Sequence, residues 1–197
     1  MASVVDAPVL GAERRVFWIA AVATVGLDLV TKLIAEATLL RTPGVSVFGD
    51  WFQLRLVYNQ GAAFGLHVGP YSRWIFFTVA LVAVFVLARM SRSGPTGDRF
   101  RQLALGLVAG GAAGNLLDRI RSSRGVVDFL DVGIGALRWP TFNVADIAVS
   151  CGAIAPQLTA MSATLKVGQR SAPMPTSRKS TTPRELRIRS RDRKSVV

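Results

Sequence analysis

Histidine and cysteine are nearly absent from this chain, which has one of each in 197 residues. A lone cysteine excludes an intramolecular disulfide and a cysteine-rich metal site. A serine or cysteine peptidase needs a base beside its nucleophile. Cys151 lies inside an apolar segment, His67 is expected in an exposed loop, and Lys32 has Asp28 as a nearby partner. The composition therefore disfavours both of these peptidase classes.

Acidic residues are also few, 12 against 24 Lys and Arg, which gives a formal net charge of +12. Much of the basic excess lies after residue 165, where Lys and Arg alternate with Ser, Thr and Pro. Because the charge is local, we expect no nucleic acid partner. We interpret residues 166–197 as a disordered cytoplasmic tail that can touch anionic membrane lipid.

Hydrophobic residues make up 50% of the chain and are grouped in blocks. Four blocks approach the roughly 20 residues that cross about 30 Å of hydrocarbon. We predict an all-α membrane protein with a short N-terminal cytoplasmic segment, residues 1–13, and one membrane domain, residues 14–165. Its helices are predicted at about 16–40, 73–89, 101–119 and 142–165. A cleavable secretory signal is the alternative for the first block, but two charged residues inside it, Asp28 and Lys32, argue against that.

Basic residues near the ends of the predicted spans indicate the orientation. One side carries Arg14, Arg15, Arg89, Arg92, Arg99, Arg101 and Lys166. This side should be cytoplasmic, with both termini on it. The bias is moderate, because the other side carries Arg119, Arg121, Arg124 and Arg138.

Several polar residues fall at one predicted depth. With a rise of about 1.5 Å per residue, the outer ends of the spans carry Asp28, Lys32, Asn115, Asp118 and Asp146. Polar residues that are scattered in sequence but share a depth indicate a site. Intramembrane charges are usually functional as well, because isolated ones are costly in hydrocarbon.

Helical spacing adds pairs to this picture. Asp28 and Lys32 are four apart and can partly neutralise each other, either as a structural ion pair or to order the site. Asn115 and Arg119 share a face and could hold a carboxylate or a substrate carbonyl. Asp118 is expected to pair with a nearby arginine, and general acid work is its less favoured interpretation.

The segment from Trp51 to Tyr58 alternates like a strand and leads into Asn59-Gln-Gly-Ala-Ala-Phe-Gly65. Short side chains there leave backbone groups that could pair with an extended peptide. The ordinary alternative is a tight turn capped by Asn59. In the third span, Gly110 and Gly114 are four apart and favour close approach of another helix.

Asp128 and Asp146 are the candidate catalytic residues. They are 18 positions apart with Gly133, Gly135 and Pro140 between them, so a chain reversal can bring them together. Two adjacent carboxylates share one proton near neutral pH, so the pair could activate water against a peptide bond. Asn143 lies three residues before Asp146 and could share its helix face. Asp131 is interpreted as a capping or solvated loop residue.

Five motifs together resemble the bacterial lipoprotein signal peptidases, the type II signal peptidases, over roughly residues 14–165. In chain order they are Asp28 with Lys32, Asn59-Gln-Gly-Ala-Ala-Phe-Gly65, Gly110-Gly-Ala-Ala-Gly-Asn-Leu-Leu-Asp-Arg119, Val126-Val-Asp-Phe129 and Phe142-Asn-Val-Ala-Asp146. One such motif would be weak, but five in order and spacing are specific.

The resemblance implies an aspartic endopeptidase with four transmembrane helices and a small extracytoplasmic β-cradle, using no metal or cofactor. Its substrates would be prolipoprotein signal peptides, cut before a diacylglyceryl-modified cysteine near the outer face of the bacterial cell membrane. The catalytic pair maps onto Asp128 and Asp146. Supporting residues map onto Asp28, Lys32, Asn59, Gly111, Asn115, Arg119 and Asn143. We expect a monomer surrounded by membrane lipids.

Two other functions could use the same residues. A proton-coupled transporter also places carboxylates in a helical bundle, but it more often has internal repeats and sites near the midplane. Neither feature is evident in this sequence. A lipid-binding protein without catalysis would have had no reason to keep both aspartates.

Overall fold

The computed structural model describes residues 11–61, 68–93 and 97–171, and the side chains of these residues except residue 12 and residues 158–171. Residues 62–65 of the motif Asn59-Gln-Gly-Ala-Ala-Phe-Gly65, His67 and residues 172–197 of the predicted tail lie outside the described residues. The chain divides into two units, Met1–Met161 and Ser162–Val197. The site described below lies in the first unit.

Four long helices and a small sheet make up the described chain. The helices are α1 (Ala12–Leu39), α2 (Ser72–Ser93), α3 (Arg99–Arg121) and α4 (Val144–Ser171), and a short 3₁₀ turn, Gly69–Tyr71, precedes α2. Three stretches, Glu13–Leu39, Gly69–Ser93 and Arg99–Arg121, are long and apolar enough to cross a membrane. The apolar part of α4 found by the same measure, Val144–Gln157, is shorter. The predicted helical membrane class is confirmed to this extent.

The sheet consists of β1 (Val45–Phe48), β2 (Phe52–Asn59), β3 (Val126–Ile134) and β4 (Leu137–Arg138), antiparallel and in that order. The alternating segment predicted from Trp51 to Tyr58 is β2, shifted by one residue. In the register of β2 and β3, Val57 is opposite Asp128. This pairing brings the end of β2 to one of the two candidate catalytic residues.

Glycines allow α3 to pack closely against both α1 and α4. A Cβ atom added at Gly110 would lie 2.7 Å from the carbonyl oxygen of Ala21 in α1. A Cβ at Gly111 would collide with the carbonyl oxygen of Ala145 in α4. Helix backbones approach this closely only where side chains are missing, so the glycine-rich motif sets the distances between three helices.

A small apolar cluster attaches the sheet to the end of α1. Ala35, Leu39 and Phe129 are buried there, and four partly buried residues pack against them, namely Leu54, Leu56, Leu130 and Val144. The cluster joins α1, β2, β3 and the first residue of α4. It therefore fixes β3, which carries Asp128, relative to the start of α4, which carries Asp146.

The interpretation of Asp131 as a capping or solvated loop residue is wrong. Asp131 lies within β3 and is only 2% exposed. Its carboxylate accepts a hydrogen bond from Arg138 Nε at 2.9 Å. Because β3 is covered on both faces, its residues do not alternate between polar and apolar, and the usual strand pattern is missing from the sequence.

Candidate active site

Asp128 and Asp146 line the same cavity, which has a volume of about 420 Å³. Asp128 comes from β3 and Asp146 from the first turn of α4. Three polar neighbours share the wall, Asn59, Asn115 and Arg119. The remaining wall residues are Val126, Trp139, Pro140, Thr141, Phe142, Ile147, Val149, Ser150 and Cys151. The two candidate carboxylates thus face a space that is mainly apolar.

Both carboxylate oxygens of Asp128 accept side-chain hydrogen bonds. Asn143 Nδ2 donates to Oδ1 at 2.7 Å, and Asn59 Nδ2 donates to Oδ2 at 3.1 Å. Asn143 is completely buried and Asp128 is 2% exposed. The two amides hold the carboxylate in one orientation.

Asp146 is held by the start of its own helix. Its backbone N–H donates to Asn143 Oδ1 at 3.0 Å, and the backbone N–H of Asn143 donates to Asp146 Oδ2 at 3.2 Å. This reciprocal pair has the geometry of a capping box. Asn143 therefore contacts both carboxylates, because its side-chain amide also reaches Asp128. Its three-residue spacing from Asp146 marks a helix cap and not a shared helix face.

Asn115 connects Asp146 to the interior of the helix bundle. Its Nδ2 donates to Asp146 Oδ1 at 2.9 Å. Its Oδ1 accepts from Lys32 Nζ at 2.9 Å and from Asn143 Nδ2 at 3.0 Å. Two donors on the oxygen fix which way the amide points, so the amide nitrogen of Asn115 must face Asp146.

Lys32 is fully buried and contacts two carboxylates. Its Nζ lies 2.7 Å from Asp28 Oδ2 and 2.8 Å from Asp118 Oδ2. Asp28 Oδ1 in turn accepts from the backbone N–H of Ala145 at 2.9 Å, next to Asp146. The ion pair predicted between Asp28 and Lys32 therefore exists, and it reaches the start of α4.

Asp118 and Arg119, which are adjacent in α3, both hydrogen-bond to backbone atoms. They act around the carboxylate pair through these backbone contacts and not through its side chains. Asp118 Oδ1 pairs with Arg121 Nε at 2.9 Å, which confirms its predicted arginine partner. Asp118 Oδ2 also accepts from the backbone N–H of Val127 at 3.1 Å. The Arg119 guanidinium donates to the carbonyl oxygens of Gly61 at 2.9 Å and Asn115 at 3.0 Å.

Burial changes the ionisation of Asp128. Removal from water and, to a smaller extent, the nearby charge of Asp146 together raise its pKa from 3.8 to about 7, against the lowering effect of the Asn59 and Asn143 hydrogen bonds. A group with a pKa near 7 exchanges its proton readily at neutral pH. The site can therefore both take up and release a proton.

All nine predicted site residues lie at or behind this cavity. Asp128, Asp146, Asn59, Asn115 and Arg119 line it, and Asn143 and Lys32 contact those residues. Asp28 lies one step further back, where it contacts Lys32 and the backbone N–H of Ala145. Gly111 has a packing position, since it lets α3 approach α4. Sequence reasoning did not find the segment from Trp139 to Phe142 as a cavity wall, although Pro140 was seen as part of the chain reversal. The sequence also did not predict that Cys151 lines the cavity.

Comparisons with known proteins identify relatives of this chain. The profile of a family described as signal peptidase (SPase) II matches residues 20–162. The lipoprotein signal peptidase of Oleidesulfovibrio alaskensis is 40% identical over 141 residues, which cover 70% of this chain and 89% of that protein. The corresponding protein of Francisella tularensis subsp. novicida is 36% identical over 141 residues, covering 70% of this chain and 86% of the relative.

Solved structures with the same fold include two described as bacterial membrane enzymes. One has a TM-score of 0.64 and 29% identity, covering 80% of this chain and 92% of that one. The other has a TM-score of 0.63 and 30% identity, covering 72% of this chain and 90% of that one.

Proposed function

Because the chain belongs to the signal peptidase II family, whose members are lipoprotein signal peptidases, we propose that it removes signal peptides from prolipoproteins by cutting before a diacylglyceryl-modified cysteine, with Asp128 and Asp146 as the catalytic pair. One observation carries the assignment of the pair. Both carboxylates face one cavity, and Asn143 contacts each of them. The transporter and lipid-binding alternatives find no support in the comparisons.

In the proposed reaction, the ionised member of the pair removes a proton from a water molecule as the water oxygen attacks the scissile carbonyl carbon. The protonated member donates a hydrogen bond to the carbonyl oxygen, where negative charge develops. The tetrahedral intermediate then collapses, the C–N bond breaks, and a proton passes to the leaving amine of the lipidated cysteine. A pair that shares one proton at neutral pH can perform both roles.

The supporting residues allow one carboxylate to be ionised while the other is protonated, and they hold both in position. Asn59, Asn115 and Asn143 supply amide donors, which stabilise a carboxylate without adding charge. Lys32 offsets the charges of Asp28 and Asp118, and its Nζ also orients Asn115. Buried ions are costly unless they are paired and hydrogen-bonded, so this cluster is expected to act as a unit.

We further propose that α4 is a fourth membrane span and that the sheet lies on the extracytoplasmic side. α4 has 28 residues, which exceeds the roughly 20 residues needed to cross a bilayer. The bias of basic residues supports cytoplasmic termini. The proposal includes a monomer with membrane lipids around its apolar helices.

The proposed function is tested with the purified full-length protein in detergent and lipid. The probes are a precursor peptide with a diacylglyceryl-modified cysteine and the same peptide without the lipid. We expect cleavage of the lipidated peptide alone, at the bond before the modified cysteine, as determined by mass spectrometry. Failure to cut the lipidated peptide, or cleavage at another bond, would contradict the proposal.

A further inference from the structure

A partly buried ion pair outside the carboxylate pair clamps strands β3 and β4 to the turn between β1 and β2. Arg138 Nε donates to Asp131 Oδ1 at 2.9 Å, and Arg138 NH2 donates to the carbonyl oxygen of Asp131 at 3.2 Å. Arg138 NH1 donates to the carbonyl oxygen of Asp50, in the turn between β1 and β2. The side chains of Arg138 and Asp131 are 22% and 3% exposed. One guanidinium therefore joins three points of the sheet.

The segment that follows Arg138 is attached to β3 at both of its ends. The backbone N–H of Trp139 donates to the carbonyl oxygen of Val132 at 2.8 Å. At the other end, the N–H of Phe142 donates to the carbonyl oxygen of Leu130 at 3.0 Å, and the carbonyl oxygen of Phe142 accepts from the N–H of Leu130 at 2.8 Å. We call residues 139–142 the wall segment.

The wall segment borders two cavities that meet at Asp128. Pro140 and Thr141 line the cavity that holds both catalytic aspartates. They also line a second cavity of about 380 Å³, which runs along residues 57–61 at the end of β2. Asp128 is among the residues common to both. If the scissile peptide bond of the precursor is held at Asp128, the residues on one side of the bond would lie in one cavity and those on the other side in the second cavity. Both parts of the precursor would run along the wall segment.

We infer that Asp131 and Arg138 are positioning residues, which hold the wall segment where the precursor chain on both sides of the scissile bond can bind. The inference rests on the proposed function and names a determinant of substrate affinity within it. Neither residue lines either cavity, so neither touches the reacting atoms. Their effect should fall on KM, since a displaced wall weakens contacts along the substrate and leaves the carboxylate pair in place.

The test measures kcat and KM of the full-length protein on the diacylglyceryl precursor peptide. Arg138→Gln removes the charge and the fork of donors, and Asp131→Asn removes the partner charge. We expect each variant to raise KM about 3- to 10-fold with kcat within about twofold of wild type. The double variant should be no worse than the worse single variant, because both changes break the same interaction.

Arg55→Gln is the matched control. Arg55 NH1 lies 3.9 Å from Asp131 Oδ2, but its side chain is 59% exposed, and exposed ion pairs contribute little. This variant should keep the wild-type KM. If Arg138→Gln does not accumulate as folded protein, Arg138→Lys is used instead, since it keeps the charge and loses the fork, and a raised KM is again expected.

An unchanged KM in the Arg138 and Asp131 variants would overturn the inference. A fall in kcat at constant KM would also overturn it, because that is the result expected when part of the enzyme is simply unfolded. An equal effect of Arg55→Gln would also overturn it, because it would point to charge in general and not to the clamp. Failure of the wild-type protein to cut the lipidated peptide would instead contradict the proposed function.

Discussion

At the scale of single residues, the site depends on asparagines. Asn143 donates its side-chain amide to Asp128 and exchanges two hydrogen bonds with Asp146. Asn115 holds the opposite oxygen of Asp146. An amide can fix a carboxylate without neutralising it, so the two aspartates can be kept in place while their proton remains exchangeable. The hydrogen bonds that position the two carboxylates therefore come from neutral amides, although Arg119 also lines the cavity.

The raised pKa of Asp128 predicts a pH dependence of stability. Because its pKa is about 7 in the folded protein and 3.8 ordinarily, the folded state binds more protons between these values. The free energy of unfolding should fall as pH rises through this range, by on the order of a few kcal/mol in total. Asp128→Asn removes the effect, so its Tm relative to wild type should increase between about pH 5 and about pH 8.

Thermal unfolding in detergent at several pH values measures this difference. Asp50→Asn is the control, since Asp50 is exposed in the turn between β1 and β2. Its Tm relative to wild type should not change with pH. A difference for Asp128→Asn that stays constant across the pH range would show that Asp128 does not carry the effect.

At the scale of elements, α3 supports the site, and its glycines set how closely α1 and α4 can approach α3. A Cβ at Gly114 would meet Asp28 Oδ2 at 2.5 Å, and one at Gly106 would meet the carbonyl oxygen of Phe17 at 2.6 Å. These contacts bring Lys32, Asn115 and the start of α4 within hydrogen-bonding distance. The polar network is therefore a consequence of close helix packing.

Gly111→Ala should disrupt this packing. The added methyl group would collide with the carbonyl oxygen of Ala145 and lie 2.8 Å from Val149 Cγ2. We expect α3 and α4 to separate, so that Asn115 no longer holds Asp146, with a Tm lower by several degrees and activity lower by at least about tenfold.

Gly26→Ala provides the matched control within α1, because a Cβ there would meet nothing within 4 Å. In a helix interior this change should be neutral or stabilising by about 0.5–1 kcal/mol. The Tm and the specific activity of Gly111→Ala and Gly26→Ala are measured and compared with those of wild type. Similar losses in both would mean that glycine itself, and not close approach at Gly111, is required.

The sequence allowed the main elements and the residues that gather at the cavity to be predicted, but not all of their contacts. Helical spacing was enough to pair Asp28 with Lys32, since both lie on one helix. Nothing in the sequence revealed that Asp131 pairs with Arg138, because that contact depends on the turn between β3 and β4. The cap formed by Asn143 has the same spacing as a pair on one helix face, so only the position of the helix start distinguishes the two.

At the scale of the whole molecule, the sheet, the start of α4 and the polar network lie together at one end of α1. Ala35 and Leu39 pack against Phe129 of the sheet, only a few residues beyond Lys32. Under the proposed orientation, this end faces the outside of the cell. The site would then lie where a lipid-anchored precursor presents the bond before its modified cysteine.

Single cysteines in a Cys151→Ser background test this orientation. Leu137 is 82% exposed at the start of β4, and Arg92 is exposed in the last turn of α2. In spheroplasts, a membrane-impermeant maleimide should label Leu137→Cys directly and Arg92→Cys only after the membrane is permeabilised. The reverse pattern would contradict the proposed topology.

The most direct test of the carboxylate pair is the cleavage rate of Asp128→Asn and Asp146→Asn on the lipidated precursor peptide. Each variant loses a group that must take up or donate a proton, so kcat should fall by at least about 100-fold. Asp50→Asn should retain wild-type activity. Bound precursor should still protect Cys151, which lines the cavity, from alkylation in both variants. Cleavage by either variant at a substantial fraction of the wild-type rate would contradict the assignment of Asp128 and Asp146 as the catalytic pair.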